Sequence, residues 1–126
     1  MKVLIFSALS MLAVGSYADV IERWVCKDRY SQAWKTIVTA EVLQEESSGI
    51  IRVAGVAHQS RYKVLGFNRR WDFGLADDAT FDYAFVLKPN GEGAYYDFSS
   101  ATSGDSVGPS QQLSCQQSSL NKESAK

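Results

Sequence analysis

The chain has 126 residues, with 13 basic and 14 acidic side chains, a net charge of −1, two cysteines and a single histidine. A length of this order builds one domain, and a balanced charge gives no overall attraction to nucleic acid or to an anionic membrane, so a charged partner has to be met locally. Two thiols and His58 fall short of a four-ligand metal set and neither CxxC nor HxxxH spacing occurs, so no metal and no cofactor is expected.

Residues 1–18 have the pattern of a signal peptide: Lys2 gives a positive start, residues 3–14 are apolar apart from Ser7 and Ser10, and Ser16 and Ala18 supply small residues at the cleavage positions. The apolar run is shorter than the roughly 18 residues that cross a bilayer, and no second run follows it, so no transmembrane segment is expected. The sequence therefore predicts a secreted or periplasmic protein, with one β-domain over 19–116 and a disordered polar tail over 117–126.

From residue 20 onward the patterning has a period of two. Strands are expected at 20–27, 38–42, 50–57, 61–67, 69–73, 81–87, 94–98 and 111–116, each rich in β-branched or aromatic residues and bounded by turn formers. Within them Val38, Ala40 and Val42 alternate with Thr39 and Glu41, and Trp71, Phe73, Phe81, Tyr83 and Phe85 are the expected inward set. His58 is expected in a solvated turn over 57–60, and 44–49 and 75–79 are further connections. Pro89-Asn90-Gly91 marks a hairpin. Of the adjacent pair Tyr95 and Tyr96, a regular strand turns only one inward. The small-residue stretch 99–110 is a long loop, and Asp77, Asp78 and Asp82 fit neither a calcium loop nor a glycosidase acid pair.

Cys26 and Cys115 are the only possible disulfide pair, and an exported chain favours its formation. Neighbouring strands lie about 4.8 Å apart, so the first and last of eight in an open sheet would stand roughly 30 Å from each other, whereas a disulfide needs Cα atoms within about 7 Å. The predicted fold class is therefore all-β: a small antiparallel meander of about eight strands closed into a barrel, with a two-layer β-sandwich as the alternative and one disulfide joining the first and last strands.

The layout of Val25-Cys26 near the start and Cys115 near the end resembles that of small exported barrels such as the bacterial lysozyme inhibitors. That resemblance implies a barrel with a terminal disulfide and carries over no loop residue.

No nucleophile elbow, phosphate loop or dinucleotide fingerprint occurs, and His58 is the only side chain suited to neutral-pH base chemistry. The charges are more informative. Between Arg52 and Arg70 stand Arg52, Arg61, Lys63, Arg69 and Arg70 with no acid, while seven acids follow from Asp72 to Asp105 against Lys88 alone. Cross-strand pairing would neutralise much of this; the alternative is a basic wall that meets a secreted or envelope protein or an anionic ligand. Candidate binding residues are Arg69 and Arg70 flanking Trp71, together with Tyr95 and Tyr96. The expected function is a non-enzymatic, inhibitor-like binding module. A carrier of a small apolar ligand inside the barrel, or a small hydrolase using His58, are the alternatives.

Overall fold

The computed structural model describes residues 19–75, 81–99 and 107–120. Eight strands follow in chain order: β1 (Val20–Asp28), β2 (Val38–Leu43), β3 (Ser48–Val53), β4 (Val56–Leu65), β5 (Asn68–Leu75), β6 (Phe81–Leu87), β7 (Glu92–Asp97) and β8 (Gln111–Gln117). Each pairs antiparallel with the next, and β8 pairs back onto β1, so the sheet is a closed meander barrel. The closing seam runs from Trp24↔Gln117 to Asp28↔Leu113 with Cys26 directly opposite Cys115. Those two cysteines form the disulfide, with their Cα atoms 4.1 Å apart.

Period-two alternation selects the interior. Val38, Ala40 and Val42 from β2, Ile51 from β3, Trp71 and Phe73 from β5, Phe85 and Leu87 from β6, and Leu113 from β8 are all buried and pack round Cys26. Register makes them meet: Trp71 is opposite Phe85, and Phe73 is opposite Tyr83. Their rings lie 5.8 Å and 5.4 Å apart, within the range in which aromatic pairs attract. Fully burying a side chain of this size contributes roughly 2–3 kcal/mol, so these few residues carry much of the fold's stability.

Three details differ from the sequence reading. The expected strand over 50–57 is two strands, because Ala54 and Gly55, with φ angles of 50° and 84°, make a two-residue hairpin between Val53 and Val56. Positive φ at both central positions is the primed turn that matches strand twist, and Gly55 adopts it at little cost. As a consequence His58 is not in a turn. It lies in β4 opposite Ile51, with its ring 5.4 Å from that of Phe73. Phe81, expected inward, is half-buried at the start of β6 beneath the Arg61 guanidinium, 5.6 Å from the ring centre. The β6–β7 ladder begins only at Tyr83↔Asp97, so no β7 residue closes over Phe81.

The expected signal segment, Asp77, Asp78, most of the loop over 99–110 and the end of the tail lie outside the described residues. The tail begins later than expected: Gln117 is part of β8, and the Ser118 N–H donates to the Arg23 carbonyl at 2.8 Å.

Candidate functional site

Alternation sends neighbouring charges to opposite faces of the wall, and this decides what Arg69, Arg70 and Trp71 can do. Trp71 is fully buried and donates its Nε1–H to the Glu41 carbonyl at 2.9 Å. A side chain so placed contacts the core. Arg69 also points inward. It donates from Nε and Nη2 to the two carboxylate oxygens of Glu22, at 2.7 Å and 3.0 Å, and stacks over Trp24 at 5.3 Å. In the cyclic order of eight, β5 stands opposite β1, so this fork spans the lumen. Of the candidate binding residues Arg69, Arg70 and Trp71, only Arg70 faces outward; Arg69 and the inward Trp71 belong to the lumen.

The electrostatics of the lumen pair follow from its surroundings. Burial pushes the Glu22 carboxyl up, but the hydrogen bonds from Arg69 and Trp24 and the Arg69 charge outweigh burial and hold it below its ordinary value. The Glu22 hydrogen bond in turn raises Arg69.

The two tyrosines also separate. Tyr95 faces in, its ring 6.0 Å from Phe73 and 6.1 Å from Tyr83. Burial, and then the neighbouring Tyr83 and Asp97, push its phenol up. Tyr96 is on the outer face, stacked on Phe98 at 5.9 Å. It is the outward member of the pair that the alternation required.

What the outer wall of β4 and β5 brings together is Arg61, Lys63, Arg70 and Asp72. Register sets Arg61 opposite Asp72 and Lys63 opposite Arg70. Arg70 Nε donates to Asp72 Oδ1 at 2.8 Å, and Lys63 Nζ stands 4.0 Å from Oδ2. Among the described residues Arg61 has no carboxylate within ion-pair distance and lies over Phe81 instead. Two cations thus share one carboxylate and a third, Arg61, stands beside them with none. They border a cleft of about 540 Å³ whose other walls include Phe81, Phe98 and Ser47.

The remaining basic residue of the stretch is neutralised elsewhere. Arg52 binds Glu41 Oε1 at 2.5 Å, and Arg23 binds Oε2 of the same carboxylate at 2.6 Å. Glu41 is buried although it sits on the outward-facing register of β2, because these two arginines lie against it. A second depression of about 490 Å³ borders this triad, with Val20, Leu43 and Ile50 in its walls. The partners Glu22 and Glu41 precede the basic stretch in the chain. Pairing of β2 with β3 brings Glu41 to Arg52, and closure of the barrel brings Glu22 on β1 across from Arg69 on β5, so neither partner comes from the acidic segment that follows Asp72.

His58 makes no hydrogen bond to a serine or carboxylate among the described residues, although Ser60 lies two residues along the same face with its Oγ buried and without a partner there. No group of three metal-ligating side chains occurs among the described residues. Comparison of the chain with protein-family models, with curated proteins and with solved structures finds no match. The class is therefore defined by its own geometry: a closed eight-stranded antiparallel barrel, disulfide-sealed at its seam, with a basic cleft on one outer wall.

Proposed function

We propose that the protein is an exported, non-enzymatic binding module that recognises an anionic group through the cleft bordered by Arg61, Lys63 and Arg70. One observation carries the reading: Arg61, Lys63 and Arg70 border one cleft with a single carboxylate, Asp72, which pairs with Arg70 and Lys63 and leaves Arg61 with no acid within ion-pair distance among the described residues. A phosphate, sulfate or carboxylate entering beside Arg61 would complete the charge balance and accept from a guanidinium fork. Phe81 and Phe98 would pack against the carbon skeleton that carries the group.

Location outside the cytoplasm is supported by the signal-like residues 1–18 and by the Cys26–Cys115 bond, since such bonds persist in oxidising compartments. The interior supports an outside-binding role better than a carrier role, because Trp71, Phe73, Phe85 and Leu113 occupy it.

Calorimetric titration with a hexaglutamate peptide tests the proposal. The expected result is salt-sensitive binding that weakens by about tenfold or more in the double variant Arg61→Ala/Lys63→Ala, which keeps the Arg70–Asp72 pair, with the melting temperature nearly unchanged. Binding of equal strength in that variant, or none in the wild type at low salt, would contradict it.

A further inference from the structure

We infer that the β4–β5 hairpin docks the barrel on an anionic lipid surface, its apolar tip entering the interface while the adjoining cations meet the headgroups. The inference rests on the anion-binding reading and names its partner.

The tip is unusual for a hairpin end. Val64, Leu65 and Phe67 surround a two-residue turn, and all three are exposed, Phe67 by 85 %. Among the described residues none of the three belongs to the core or packs against it, and exposed apolar clusters rimmed by polar groups mark protein or membrane contacts. The hairpin also protrudes. The β3–β4 ladder ends at Ser48↔Arg61, so residues 62–65 run about 13 Å beyond β3.

Charge selects lipid over other occupants. On the outer face of β4 the order towards the tip is Arg61, Lys63, Leu65, and Arg70 lies beside Lys63. Same-face residues are roughly 6.6 Å apart along a strand, and the headgroup layer of one leaflet is roughly 5–8 Å deep. With Leu65 and Phe67 at the acyl boundary, Lys63 and Arg70 therefore stand at phosphate level. Glu45 and Glu46, at the same end of the barrel, stand back from the tip, because the Ser47 carbonyl in their turn accepts the Tyr62 N–H at 2.9 Å. A convex apolar point adjoined on one face by Lys63, Arg70 and Arg61, still net positive after Asp72, is the geometry of interfacial insertion, where apolar burial and attraction to anionic lipid add.

Co-sedimentation of the oxidised protein with vesicles tests this, comparing equimolar phosphatidylglycerol and phosphatidylcholine with phosphatidylcholine alone. The expected result is binding to the mixed vesicles that is at least about tenfold weaker to the neutral ones. It should weaken about tenfold in Phe67→Ser, with Leu65→Ser as a second tip variant, and about twenty-fold in Lys63→Ala/Arg70→Ala. No binding to mixed vesicles, or binding that both tip variants retain in full, would overturn the inference. Self-association abolished by Phe67→Ser, with vesicles unbound, would assign the tip to a protein contact and also overturn it. Hexaglutamate binding measured in parallel separates the two readings: if it persists while vesicles are ignored, lipid docking alone fails, and if it is absent in the wild type, the anion-binding cleft fails.

Discussion

Glu22 and Arg69 face one another across the lumen, and the physical state of each depends on the other. The folded Glu22 carboxyl titrates below its ordinary value of 4.5, so the pair contributes stability at higher pH and loses that contribution as pH falls through the lower folded value. Glu22→Gln should therefore cost about 1–2 kcal/mol at neutral pH and flatten the acid limb of the stability profile. Urea titrations at several pH values check both, and a variant with the wild-type acid limb would refute the assignment. A second residue-scale prediction concerns close approach. A Cβ on Gly49 would lie 2.7 Å from both the Glu41 carbonyl oxygen and the Trp71 ring. Those two groups are already joined by the Trp71 indole hydrogen bond, so neither moves freely. Gly49→Ala should destabilise the barrel by about 2–3 kcal/mol in a denaturant titration.

At the scale of elements, the seam between β1 and β8 is where covalent and hydrogen-bonded closure coincide. The bond links residues 89 apart in sequence, and on the loop-entropy account it stabilises by about 4–5 kcal/mol. Cys26→Ala/Cys115→Ala should lower the unfolding free energy by up to that amount, and a change near zero would mean that strand pairing alone holds the seam. This closure was legible in the sequence, because alternation in β2, β5 and β6 marks strands and one disulfide across the whole meander forces its ends together. The hairpin at Ala54-Gly55 was not: Val53 and Val56 flank it, and β-branched residues on both sides make one continuous strand signal. That error also misplaced His58. The outer site was half-legible. Arg70 stood out by charge density, but Trp71 beside it belongs to the core, and Arg61 acquires its importance only through register with Asp72.

The whole molecule divides its charges between structure and surface. Arg23, Arg52 and Arg69 are committed to Glu41 and Glu22, whereas Lys63 and Arg70 share Asp72, with Arg61 beside them, on an outer wall that leads to an apolar tip. The two sets should respond oppositely to mutation. Removing Arg61 and Lys63 should alter stability by less than about 1 kcal/mol, since both are exposed and the buried Asp72 keeps its Arg70 partner. Removing Arg69 leaves Glu22 half-buried and unpaired and should cost stability without touching the cleft. The measurement that tests the central claim most directly is a ¹⁵N chemical-shift titration of the wild-type protein with hexaglutamate at low salt. The account predicts shifts concentrated at Arg61, Lys63, Arg70, Asp72 and Phe81, and their loss at high salt. Shifts confined to the neighbourhood of Arg23 and Arg52, or none on the β4–β5 wall, would contradict it.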